Sequence, residues 1–160
     1  MMNISGRGLR DHIRLVAPLC GVIAAVFVLR EVSFAAGAPR PVVHAISVSV
    51  AIPTCVMLAV LLIHIRRFGG YANVILSALL LVLWGQLLIV GAIAFSALSN
   101  LETVYSGPEY AFRGLSPWKH IVGQLTFVVG FETISGAAMG CLLLWMLRKL
   151  PQDPAREKRR

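Results

Sequence analysis

Four long apolar runs constrain the fold of this chain more than any other feature of its sequence. They cover residues 15–36, 43–65, 72–98 and 121–147. Each run exceeds the ~20 helical residues that cross the ~30 Å hydrocarbon core of a bilayer. Hydrophobic residues make up 58% of the chain and charged residues only 14%, a composition that excludes a disordered chain and argues against a soluble globule. The sequence therefore predicts an all-α integral membrane protein with four spanning helices.

The segments outside these runs are too short to bury a core of their own. They are a head of 14 residues, two loops of six, an outer loop over 99–120 and a basic tail over 148–160. The sequence thus predicts one transmembrane domain over 1–160. Short loops make consecutive spans antiparallel neighbours, so we expect an up-down-up-down four-helix bundle in which the fourth span contacts both the first and the third.

The first run differs from the others because Arg30 and Glu31 interrupt it. The arginines before this run and the small residues over 36–38 are also compatible with a cleaved signal peptide. The charged pair within the run and Pro39 directly after the small residues favour a retained membrane span.

Lysine and arginine are concentrated on one side of the predicted bundle. With both termini on the same side, that side carries 11 of these residues and the opposite side carries three. Because cytoplasmic loops are enriched in Lys and Arg, we expect a multi-pass protein of the cell membrane with both termini in the cytoplasm. The net charge of +8 then reflects topology and contact with anionic lipid, and it requires no nucleic-acid partner.

One polar residue of each span lies at a similar depth, about 21–24 Å from the predicted cytoplasmic edge at ~1.5 Å per residue. These four residues are Arg30, Ser49, Gln86 and Glu132. A carboxylate in hydrocarbon is costly and usually faces the bundle interior beside a partner. We therefore expect Arg30 or Gln86 to contact Glu132, or else Arg30 to extend to the outer interface.

Two further features lie near this predicted polar layer. Gly136 and Gly140 follow Glu132 at i+4 and i+8 and form a G-x-x-x-G pattern, which lets helices approach closely. Pro53 has no N–H group, so the Ser49 carbonyl loses its helical hydrogen bond and we expect a kink there.

The outer loop is rich in aromatic residues and contains Gly-Pro and Ser-Pro turn signals. Its aromatic residues suit the membrane interface belt; alternatively, the loop is a docking surface for a partner protein. The candidate interaction residues are Glu102, Tyr105, Glu109, Tyr110, Trp118 and His120.

Motifs for enzymatic or metal chemistry are absent from the sequence, which has no Cys-x-x-Cys, no phosphate-binding glycine loop, no H-E-x-x-H and no Gly-x-Ser-x-Gly. We therefore expect no metal, no cofactor and no catalysis. His12, His44, His64 and His120 all lie near span ends, which disfavours two haems buried between histidine pairs.

Three functions remain compatible with the sequence. The first is a non-enzymatic accessory or structural subunit of a membrane complex, or a homo-oligomer, that associates through the glycine-rich face and the outer loop. The second is a small oligomeric transporter or proton-coupled permease centred on Glu132, next to backbone that Pro53 interrupts. The third is a b-type haem membrane protein.

Overall fold

A computed structural model describes residues 3–4, 7–106 and 116–150 of this protein. The first span is α1, Leu9–Ala35, and the third is α4, Tyr71–Ser99. The second span joins α2, Arg40–Ala45, to α3, Val48–Ile65. The fourth joins α5, Pro117–Gly123, a π-helical segment, Gln124–Val128, and α6, Val129–Lys149. Each span is long and apolar enough to cross a membrane, which confirms the predicted all-α membrane bundle.

Short elements complete the described residues. A two-residue strand β1, Asn3–Ile4, pairs antiparallel with β2, Arg7–Gly8. A single 3-10 turn, Val104–Ser106, follows α4. We call the end of the bundle where α1 begins and α6 ends the basic end, and the opposite end the loop end.

The two central spans separate the two outer ones. Helix α1 packs against α3 and α4, and α6 packs against the same two helices, with no comparable packing of α1 on α6 among the described residues. Accordingly, 39% and 44% of the most apolar window is buried in the second and third spans, against 28% in the first and in the fourth. The bundle is therefore a rhombus, in which the first and fourth spans are not the close neighbours that the sequence predicted.

The helix boundaries differ from the predicted spans where polar residues continue a helix. Helix α1 begins at Leu9, because the charged residues before the apolar run extend the same helix. The second span is interrupted at Ile46 and Ser47, where Ser47 is extended with φ −110° and ψ 120°. Pro53 instead lies inside α3, so the interruption of this span comes before the proline.

The glycine-rich face of α6 packs inside the bundle. A Cβ atom added to Gly140 would lie 2.8 Å from Val74 Cγ1 and 3.1 Å from Val60 Cγ2, so α6 approaches the two central spans closely there. At Gly136 the nearest atom would be Val56 Cγ2 at 3.8 Å, an ordinary contact distance. The G-x-x-x-G pattern is therefore used within the chain.

Candidate intramembrane site at Glu132

Glu132 and Gln86 form a hydrogen bond between the third and fourth spans. Gln86 Nε2 on α4 donates to Glu132 Oε2 on α6 at 2.9 Å. Gln86 is only 1% exposed, whereas Glu132 is half-buried. Of the two partners that the sequence suggested for Glu132, the structure thus provides Gln86.

A cleft of about 200 Å³ opens beside this pair, between α3, α4 and α6. Its lining includes four residues that sequence analysis singled out on two different spans, namely Ser49, Pro53, Glu132 and Gly136. The remaining lining residues are Ile52, Val56, Val82, Ser135 and Met139. A single carboxylate and two hydroxyl groups therefore face a cleft whose other walls are apolar.

The lateral mouth of the cleft faces the surroundings of the bundle. Ser49 is exposed on α3, and Met139 on α6 is 48% exposed. Both residues lie within spans that are apolar enough to be embedded in lipid. A small molecule could therefore reach Glu132 from the bilayer without crossing the packed core between α3 and α4.

The polar groups of the cleft differ in how far they are already satisfied. Ser135 Oγ donates to the Phe131 carbonyl at 2.9 Å within its own helix. The Ser49 carbonyl cannot accept the usual helical hydrogen bond, because Pro53 has no N–H group. Glu132 Oε1 accepts no hydrogen bond from any residue that the structure describes. One oxygen of the Glu132 carboxylate is thus left for a ligand.

The Gln86 amide can serve either protonation state of Glu132. In the structure, Nε2 donates to the carboxylate and Oε1 is buried without a partner among the described residues. Rotation of the amide by 180° exchanges its nitrogen and oxygen, so Oε1 could instead accept a proton-bearing carboxyl O–H. In either orientation the amide contacts the carboxyl group through one of its two polar atoms.

Comparison with known proteins adds no relative: no family model, no curated protein and no solved structure matches this chain.

Arg30 lies apart from the cleft and contacts the loop end of the bundle. Its side chain is 3% exposed, its Nη1 donates to Tyr105 Oη at 3.4 Å, and its guanidinium carbon lies 5.1 Å from the centre of the Tyr105 ring. No ion pair joins Arg30 to Glu132, because α3 and α4 separate α1 from α6. The expected layer of four polar residues is therefore divided into two sites, and Arg30 is covered by protein instead of extending outward.

The described part of the outer loop is anchored on α1. Tyr105 stacks on Phe27 with ring centroids 6.0 Å apart, and the Val104 N–H donates to Glu31 Oε2 at 3.4 Å. Of the other candidate residues, His120 is buried, and Glu102 and Trp118 are exposed, Trp118 by 59%. Glu109 and Tyr110 lie outside the described residues, as does most of the basic tail.

The basic end contains a buried polar cluster that the sequence did not predict. His12 is fully buried, with Nδ1 3.0 Å from the Gly8 carbonyl and Nε2 2.8 Å from Asn73 Oδ1. Its ring also meets Phe68 edge-on at 5.1 Å. Since both ring nitrogens are engaged, His12 can ligate a haem iron only by giving up one of these hydrogen bonds. The signal available in the sequence was Asn73, a polar residue at the start of an apolar run.

A second contact ties the fourth span to the same region. Arg148 Nη2 donates to the Gly69 carbonyl at 3.0 Å, and the guanidinium lies 5.1 Å from the centre of the Tyr71 ring. The turn between α3 and α4 therefore contacts both α1 and α6.

Among the described residues, no three His, Cys, Asp or Glu side chains lie close enough together to hold a metal ion.

Proposed function

We propose that this protein is a small membrane transporter or proton-coupled permease in which Glu132 binds and releases a cation or a proton. The observation that carries this proposal is the cleft of about 200 Å³ beside a half-buried carboxylate that a fully buried amide orients. Ionisable side chains inside membrane spans are costly, and they mark ion pathways and proton relays.

The surroundings of Glu132 support this choice. Transport sites combine a charged group with interrupted helices whose free backbone carbonyls face a cavity. Here Pro53 removes the helical donor for the Ser49 carbonyl, and both residues line the cleft opposite Glu132. The π-helical segment Gln124–Val128 lies one turn before Glu132, and such segments are frequent near functional sites.

The second candidate function is a non-enzymatic accessory subunit of a membrane complex or of a homo-oligomer. The face of α6 that carries Gly136 and Gly140 packs against the central spans of the same chain. Association with another subunit would therefore use a different surface. The outer face of the fourth span supports this candidate, because Phe127 and Phe131 stack at 6.5 Å while being 76% and 65% exposed. A rigid aromatic pair on a lipid-facing helix is a suitable contact for a neighbouring span.

Proton uptake by Glu132 can be tested in reconstituted vesicles. The full chain is incorporated into liposomes that contain a pH-sensitive dye, and an imposed pH gradient is followed with the native protein and with Glu132→Gln. We expect a flux that Glu132→Gln abolishes and that Glu102→Gln, at an exposed position of the loop end, leaves unchanged.

Chemical labelling provides an independent readout of the same carboxyl group. A lipophilic carbodiimide reacts with protonated carboxyl groups that are accessible from the bilayer, and we expect modification of Glu132 in the native protein. Absence of both flux and modification would contradict the transport proposal and leave the accessory role as the better explanation.

A further inference from the structure

We propose that the cleft binds a small lipophilic amine carrying a single positive charge, with its ammonium group on Glu132 and its apolar body between α3 and α6. This inference rests on the proposed function and names the class of solute that the site takes.

The charge of the cleft specifies the charge of the ligand. Glu132 is the only ionisable residue among the nine that line the cleft. Arg30 is on α1, which the two central spans separate from α6. One carboxylate complements one positive charge. Glu132 and Ser49 both line the cleft, so the carboxylate and the Ser49 hydroxyl are acceptors for the N–H donors of an ammonium group.

The same groups do not suit a divalent metal ion. Calcium takes six to eight oxygen ligands, and magnesium requires near-octahedral geometry with several waters retained. The cleft offers one carboxylate beside apolar walls, so it would neither neutralise a double charge nor replace a tightly held hydration shell. A cation with a diffuse, partly apolar surface is better matched.

The walls and the volume specify the rest of the ligand. Ile52, Val56, Val82 and Met139 supply aliphatic and thioether surface. A cavity of ~150 Å³ lined by similar side chains holds benzene, so about 200 Å³ accommodates one aromatic ring with a short amine-bearing chain. The flexible Met139 side chain at the mouth can adapt to different ring shapes.

The route of entry agrees with this class of ligand. The mouth lies within the apolar part of the spans, where amphipathic amines concentrate from water. The neutral amine can cross the acyl-chain region and take up a proton at Glu132. The proton moves from the Glu132 carboxyl group to the amine nitrogen. This transfer leaves an ammonium–carboxylate pair inside the cleft.

Binding of phenethylamine to the full chain in lipid nanodiscs tests this inference. Radiolabelled phenethylamine is the probe, and two unlabelled competitors separate its features: 2-phenylethanol has the ring without the charge, and tetramethylammonium has the charge with little apolar body. We expect saturable binding that unlabelled phenethylamine displaces and that neither competitor displaces at the same concentration.

Two pairs of variants locate the binding site. Glu132→Gln removes the carboxylate, and we expect at least about tenfold weaker binding, as for the loss of one charge-assisted hydrogen bond. Met139→Trp fills the mouth, with a similar loss expected. Met146→Trp, at another lipid-exposed methionine of α6, and Glu102→Gln serve as matched controls and should leave binding unchanged. The unfolding midpoint of each variant verifies that the fold is retained.

The outcomes distinguish this inference from the proposed function. Equal retention of phenethylamine by the native protein and by Glu132→Gln would show mere partition into lipid and overturn the inference. Displacement by tetramethylammonium would also overturn it, since the apolar walls would then play no part. Proton flux through Glu132 without amine binding would refute the inference and leave the proposed function intact. Absence of both proton flux and amine binding would refute the inference and the proposed function together.

Discussion

Gln86 places its amide nitrogen 2.9 Å from Glu132 Oε2, so a buried amide of the third span holds the intramembrane carboxylate of the fourth. This hydrogen bond directs Glu132 toward the cleft that it shares with Ser49 and Pro53. A carboxylate without such a donor would have to turn toward lipid or be neutralised. The pair therefore links the packing of α4 on α6 to the chemistry available at the cleft.

Removal of one member of this pair should be more damaging than removal of both. In Gln86→Leu the carboxylate loses its donor, and in Glu132→Met a fully buried amide loses its acceptor, so we expect each to lower the free energy of unfolding by about 1–3 kcal/mol. The double variant should lose less than the sum, because no polar group is then left unpaired. Detergent-induced unfolding measures the free energy of unfolding of the native protein, of each single variant and of the double variant. Simple additivity of the two losses would contradict a direct interaction.

The close approach of α6 to the central spans should make Gly140 intolerant of a side chain. In Gly140→Ala the new methyl group would lie 2.8 Å from Val74 Cγ1, and valine side chains have little rotameric freedom to move away. We expect a loss of about 1–3 kcal/mol from overpacking. Gly91→Ala is the control, since nothing lies within 4 Å of the added atom. Equal thermal stability of the two variants would show that the helices are not this close.

The cluster at the basic end should contribute strongly to stability. His12→Ala removes two hydrogen bonds and an aromatic contact from a fully buried position. We expect it to cost about 2–4 kcal/mol. His64→Ala, at a partly exposed position near the same end, should change stability by no more than about 0.5 kcal/mol. Asn73→Ala should reproduce most of the His12 effect, and an unaltered unfolding midpoint would argue against the contact.

The orientation of the bundle is a prediction from its charge distribution. We expect the basic end in the cytoplasm, as the excess of Lys and Arg indicates. Cysteine introduced at Glu102 should react with a membrane-impermeant maleimide in intact cells, whereas cysteine introduced at Arg66 should react only after the membrane is opened. The three native cysteines all lie within spans. Labelling of the protein without an introduced cysteine therefore measures the background reaction of these three residues. The reverse pattern would show that the basic end faces outward.

The sequence alone determined the number and order of the membrane spans, because the cost of exposing polar backbone to lipid makes long apolar runs helical. It also predicted a similar depth for Arg30, Ser49, Gln86 and Glu132, since depth along a helix follows from counting residues. Rotation about the helix axis and the choice of neighbours do not follow from that count, and these decide which polar groups meet.

Only the tertiary structure decided that Gln86, and not Arg30, is the partner of Glu132. The rhombic arrangement puts α3 and α4 between the first and fourth spans, so Arg30 lies against Tyr105 at the loop end. Likewise, the structure placed the glycine-rich face inside the chain and joined His12 to Asn73 across 61 positions of sequence. These outcomes depend on how side chains of several helices fit together, a property that hydropathy and spacing within one helix do not encode.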